Sequence, residues 1–185
     1  MSQAVLISIR PKWCSLIASG KKTLEIRKTR PKLKPPFKCY IYETKGKVER
    51  ARGEEDGYHY QEGRSAVIGE FTCDQIEEIA VAFRGGDGPM VAIGGNQVWY
   101  GGLVQHMSCL TTKDICKYIG GIGRRGFGWH ISSLIVYDRP KKLSEFKQCH
   151  KCEYHKNCFE HEYSCDGAYA LNRPPQSWCY VEELT

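Results

Sequence analysis

Val5, Ile7 and Ile9 alternate with Leu6 and Ser8 near the start of the chain, a period of two that predicts a strand over 4–9. The spacing then changes. Trp13, Leu16 and Ile17 fall on one face of a short helix, Pro11 suits its first turn, and Gly20 ends it. Residues 23–27 return to alternation, and 38–44 are rich in aromatic and β-branched side chains, which predicts a further strand. From 45 to 64 apolar residues are few, four glycines intervene, and five basic residues cancel five acidic ones, so this stretch is expected to be a loop.

Residues 66–72 are expected to form a further strand, and 73–79 either continue that strand or turn away from it. Seven glycines within 84–102 predict an irregular connection holding one short strand at 90–93. Ile115, Tyr118 and Ile119 then recur at helical spacing. Thr111 and Asp114 stand where an N-terminal cap belongs, and Gly120 and Gly121 close the helix. The stretch 121–126 matches Gly-x-Gly-x-x-Gly, yet it follows a helix and precedes a strand at 131–137. A dinucleotide fingerprint needs the reverse order, so the glycines predict a turn, or a phosphate-contacting loop charged by Arg124 and Arg125. A last strand is expected at 178–183.

A chain of 185 residues that is 41% hydrophobic can bury one full core, so a single domain over 1–185 with a small appendage is expected. Its net charge of +6 is unevenly spread. Residues 1–52 hold fourteen Lys or Arg against three acids, whereas 53–185 hold thirteen against eighteen. A basic half beside an aromatic such as Trp13 suits a polyanion, nucleic acid above all; the plainer alternative is a solvated basic face. The opening strand is not a signal peptide, and no run of apolar residues is long enough for a membrane helix. A reducing cytoplasm is therefore expected, with the ten cysteines as thiols or metal ligands and no membrane partner.

The densest chemistry lies at 20–27, where Gly20, Lys22, Glu25 and Arg27 fill the pattern Gly-x-Lys-x-x-Glu-x-Arg. On an ideal strand Glu25 and Arg27 share one face while Lys22 shares the other with Leu24, Ile26 and Lys28. Lys22 joins the other two only if the chain beside Gly20 is not yet extended. Lys22 and Arg27 can donate to phosphate or a base carbonyl, and Glu25 can accept from an amino group; the plain alternative is a same-face ion pair.

This pattern, directly after a strand and a helix, resembles the signature of the ASCH domain, a relative of the PUA-like RNA-binding barrels. Residues 1–44 resemble the family's opening elements and 67–72 a later barrel strand. The stretches 129–131, 138–141 and 173–182 are similar to long variants in bacterial and phage proteins. The resemblance implies an α+β fold, a PUA-like mixed β-barrel with short flanking helices. It also implies recognition of RNA or a modified nucleobase in a basic cleft, with Arg10, Lys12, Trp13, Lys22, Glu25, Arg27, Lys28, Trp129 and His130 as contacts. Trp129 and Trp178 can each stack on a base or fill the core.

Some small ASCH proteins are amidohydrolases acting on N4-acetylcytidine, with the motif lysine central. On that reading Lys22 and Glu25 are catalytic: burial lowers a lysine's pKa so that it serves as base, and Glu25 or Glu70 positions water or carries the proton. The chain departs from that pattern at Glu25, where those enzymes carry threonine. A third reading is a protein-binding accessory.

Its contact would be a cysteine-rich segment, 149–165. Cys149 and Cys152 have the spacing that turns two thiolates onto one tetrahedral ion, and Cys158 and Cys165 complete four sulfurs, with Cys179, His150, His155 and His161 as substitutes. A polar insertion this short cannot bury a core of its own, so a structural zinc is expected to hold it.

Overall fold

The structure, a computed structural model, describes residues 2–49, 60–83, 89–94, 101–149 and 168–184. The chain forms two compact units: 1–11, 38–70 and 135–185 make one, and 12–37 and 71–134 the other. Each is assembled from separated stretches of chain.

The first unit carries a mixed sheet. Its strands are β1 (Gln3–Ile9), β3 (Phe37–Glu43), β6 (Ala66–Cys73), β10 (Ser132–Lys141), β11 (Lys147–Cys149), β12 (Ala168–Ala170) and β13 (Trp178–Glu182), ordered β10-β6-β3-β1-β13-β11-β12. β1 lies at the centre, parallel to β3 with Ile7 beside Ile41, and antiparallel to β13 with Val5 beside Tyr180. A centre strand has neighbours on both sides and can be apolar on both faces, which is why six consecutive residues, 4–9, are buried. Leu6, Tyr40, Tyr42, Val67, Phe146 and Val181 form the core on one face. Residues 47–49 and 60–62 pair as β4 (Lys47–Glu49) and β5 (Tyr60–Glu62), so the expected loop is a hairpin at its base; 50–59 lie outside the described residues.

The second unit is an antiparallel sheet with helices. β2 (Leu24–Arg27), β9 (Arg125–His130), β7 (Ile76–Phe83) and β8 (Pro89–Ile93) stand in the order β2-β9-β7-β8, joined by α1 (Pro11–Ala18), α2 (Gly101–Ser108) and α3 (Thr112–Ile119). The capping box of α3 is as the sequence predicts: the Thr111 hydroxyl accepts from the Asp114 N–H at 3.1 Å and the Asp114 carboxylate accepts from the Thr111 N–H at 3.1 Å. Gly120 ends the helix at φ +108°, and Gly121 and Gly123 also have positive φ, so 120–123 are a turn. Leu24, Ile26, Ile79, Val91, Val104 and Ile115 fill the core between sheet and helices. Gly128 belongs to this packing, since a Cβ there would stand 2.8 Å from Ile79 Cδ1 and 3.0 Å from Leu24 Cδ1.

Mixed α+β architecture is thus as expected, but the described strands form two sheets and a hairpin, and no closed barrel is present among the described residues. Residues 73–79 turn away after β6 to begin β7. Sequence missed α2, which opens on two glycines of poor helix propensity and is held by burial of Val104 and Ser108. The described helices include none long and apolar enough to cross a membrane.

Beside β13, Lys38 bridges Glu183 and Glu70, each at 3.2 Å, and the Tyr137 hydroxyl donates to Glu70. Bonds from Ser2 and Lys38 hold the Glu183 carboxyl below its usual range; burial works against the Lys38 ammonium, but Glu183 and Glu70 more than offset this and raise its pKa above 10.5. The Glu183 contribution is therefore present above its unfolded value of 4.5 and lost as pH falls through the lower folded one. That of Lys38 is present below 10.5 and lost as pH rises through the higher folded one. Thermal unfolding is expected to show a midpoint that falls at both ends of the pH range, with Glu183→Gln flattening the acid side. An acid limb unchanged in that variant would contradict the assignment.

Candidate functional site

Lys22 precedes β2, and three backbone bonds fix the turn that carries it. Its N–H donates to Leu16 O at 3.0 Å, the Thr23 N–H donates to Met107 O at 2.9 Å, and Ile131 N–H donates to Thr23 O at 2.9 Å. Gly20, at φ +72°, makes the bend that brings the chain out of α1. Lys22 therefore lies in the turn before β2, and the alternation that would have sent it to the opposite face does not apply.

The three motif side chains converge. Glu25 Oε2 lies 3.2 Å from Lys22 Nζ and Glu25 Oε1 lies 3.0 Å from an Arg27 guanidinium nitrogen, with all three residues buried. Lys22 Nζ also donates to Leu24 O at 2.9 Å and to Ser108 O at 2.7 Å. Three oxygens thus surround one Nζ, matching the three N–H bonds of an ammonium. The cluster holds two cations and one anion, a net positive charge enclosed in protein. The end of α2 is tied to the same turn: beside the Ser108 carbonyl, the Cys109 thiol donates to Lys21 O at 3.3 Å.

Around this buried cluster lie partly exposed aromatic rings with cations over them. Lys12 Nζ is 4.9 Å and Lys22 Nζ 5.5 Å from the centroid of the half-buried Trp13 ring. Lys28 Nζ is 5.6 Å from the Tyr118 ring, and the Arg30 guanidinium is 5.8 Å from the Phe127 ring. Burial pushes the Tyr118 phenol above its usual pKa, and the Arg27 guanidinium that hydrogen-bonds it pulls the other way. Lys12, Lys28 and Arg30 themselves are exposed.

Other expected contacts fall elsewhere. Trp129 is fully buried, packed edge-on against Phe37 with centroids 6.1 Å apart, so it has no face free for a base and is a core residue. His130 takes the opposite parity from Glu25 on the sheet, and its Nε2 lies 2.7 Å from Glu77 Oε2. Arg10 is exposed and belongs to the first unit. Cys152, Cys158 and Cys165 lie outside the described residues, and of Cys149 only the backbone, in β11, is described. Cys179 packs against the core of the first unit, and Cys73 is buried with its thiol pushed up to about 12. No group of metal ligands occurs among the described residues. Sequence reasoning missed Tyr118 and Phe127; the exposed edge of the α3 pattern at Tyr118 was the available signal.

Fold and site together define an α+β protein with a buried Lys-Glu-Arg cluster on its second unit. Residues 7–85 match the ASCH domain. Crystal structures of the ASCH protein of Zymomonas mobilis and of two of its point mutants share the fold. The unmutated protein is 18% identical with a TM-score of 0.56, over 97% of this chain and 88% of that one. The mutants are each 19% identical with TM-scores of 0.55, over 97% of this chain and 89% or 91% of theirs. No curated protein matches the chain.

Removing Lys22 would leave the Glu25 carboxylate facing Arg27 alone and two carbonyls without a donor. Breaking a buried pair in this way costs about 3–5 kcal/mol. Lys22→Met is expected to lower the denaturation free energy by that order, and Glu25→Gln in the same chain to restore part of it. Equal stability of Lys22→Met and wild type in urea would contradict the cluster's structural role.

Proposed function

We propose that this ASCH domain binds RNA through the basic, aromatic surface around its motif. The observation that carries the reading is the set of three exposed cations lying over aromatic rings around a buried cluster of net positive charge. Lys12, Lys28 and Arg30 meet phosphates, and the rings offer stacking faces to bases. Lys22, whose N–H bonds are all engaged, acts from beneath: it holds Glu25 against Arg27 and fixes the turn on which the contacting side chains stand.

Phosphate contacts release counterions, so affinity falls with salt by a slope that counts them. Binding to a single-stranded RNA is expected to weaken steeply between low and physiological salt. The combined change Lys12→Ala, Lys28→Ala and Arg30→Ala should reduce the slope by about one unit for each phosphate left without its cation. Absence of binding at low salt, or a slope unchanged in the triple variant, would count against the reading. Hydrolysis of an acylated nucleoside is disfavoured by the three oxygens at Lys22 Nζ and by Glu25 where the resemblance calls for a hydroxyl. Multiple turnover of N4-acetylcytidine that disappears in Lys22→Arg would put the enzyme reading in its place.

The cysteine-rich segment is proposed to bind one structural zinc through Cys149, Cys152, Cys158 and Cys165. Two facts support this: the Cys-x-x-Cys spacing, and the pairing of Cys149 with Ala168 across β11 and β12, which brings the first cysteine beside the strand that follows the segment. Metal analysis of protein prepared without chelator is expected to give about one zinc per chain, lost in Cys152→Ser. Zinc-free protein would refute the site.

A further inference from the structure

The aromatic rings around the motif fall into two groups, and the buried cluster links them. At one end the Lys22 ammonium reaches the Trp13 ring; at the other, Arg27 bonds the Tyr118 phenol and lies directly across from Phe127 on the β2–β9 ladder. The Glu25 carboxylate joins the two ends, 3.2 Å from one cation and 3.0 Å from the other. Trp13 at one end, and Tyr118 and Phe127 beside Arg27 at the other, are therefore two aromatic stations linked through this ionic chain.

Building on the RNA reading, we propose that this surface takes single-stranded RNA through two unstacked nucleotides, one base on Trp13 and the other on Tyr118 or Phe127. The reason lies in what an aromatic face can accept. Bases inside a duplex are stacked on one another and present only their edges, so a ring face is of use only to a base that has left its stack. Each ring now carries a cation on a flexible, exposed stem. A base stacked on the ring is worth more than an exposed ammonium over it, so the base displaces the cation. Lys12 and Lys28, once displaced, remain beside the base and meet the phosphate on its 5′ or 3′ side, so neither charge is stranded. Rigid placement matters as well: Lys22 and Arg27 are buried and cannot drift, and they fix the two rings relative to each other within this unit.

The inference is tested by titrating the protein with a labelled single-stranded ribo-oligonucleotide of roughly eight residues, and with the same strand annealed to its complement. The single strand is expected to bind at least about tenfold more tightly than the duplex. Trp13→Leu and Tyr118→Leu keep apolar bulk without a ring, and each should weaken single-strand binding by roughly five- to a hundredfold with the salt slope unchanged. Trp13→Phe and Tyr118→Phe, which keep a ring, should regain most of that affinity; a merely structural role would not follow the ring in this way. Equal affinity for duplex and single strand, or full affinity in both leucine variants, would overturn the inference while leaving RNA binding intact. If the wild type bound neither form, the RNA reading itself would fall and this inference with it.

Discussion

A lysine ammonium removed from water needs an acceptor for each of its N–H bonds, and meeting that need at Lys22 organises the second unit. The acceptors come from three places in the sequence: the carbonyl of Leu24 at the start of β2, the carbonyl of Ser108 at the end of α2, and the carboxylate of Glu25. An edge strand, a helix end and a turn are thereby joined at one atom. Glu25 then passes the constraint to Arg27, and Arg27 passes it to Tyr118 on α3. Replacing the lysine with an apolar residue would not simply delete an ion pair, because the Leu24 and Ser108 carbonyls would also lose this buried donor.

The same constraint explains how an inaccessible cluster can serve an accessible function. Buried groups with all bonds engaged are poor first contacts for a ligand but good supports, since they hold neighbouring side chains to one geometry. Here the groups supported are aromatic rings and mobile cationic stems at the surface of the unit. On the proposed RNA reading the division of labour is chemical: arginine and lysine stems over rings supply charge that can move to phosphate, and the rings supply faces that every base can use.

Much of this was legible in the sequence, and what was not has identifiable causes. The strands with clean alternation, the capping box at Thr111 and Asp114, and the turn at 120–123 follow from local chemistry. Gly20 and the motif spacing marked the site, but strand parity left open whether Lys22 joins Glu25, and it does so from the turn that precedes β2. Trp129 could not be separated from a stacking platform by sequence, because its burial is a tertiary matter that includes packing against Phe37, far away in the chain. Helix α2 was hidden by Gly101 and Gly102, whose low propensity is overcome by packing at Val104. Tyr118 looked like one more member of an amphipathic face, and only its bond to Arg27 assigns it to the site.

The rings held by the Lys22–Glu25–Arg27 cluster are, on this account, where RNA meets the protein. Photo-crosslinking tests this most directly, since a 4-thiouridine base joins only to a side chain it touches. With a short single-stranded oligonucleotide, mass spectrometry of the digested adducts is expected to find Trp13, Tyr118 or Phe127 as the modified residues. Adducts confined to the first unit, in 135–185, would contradict the account.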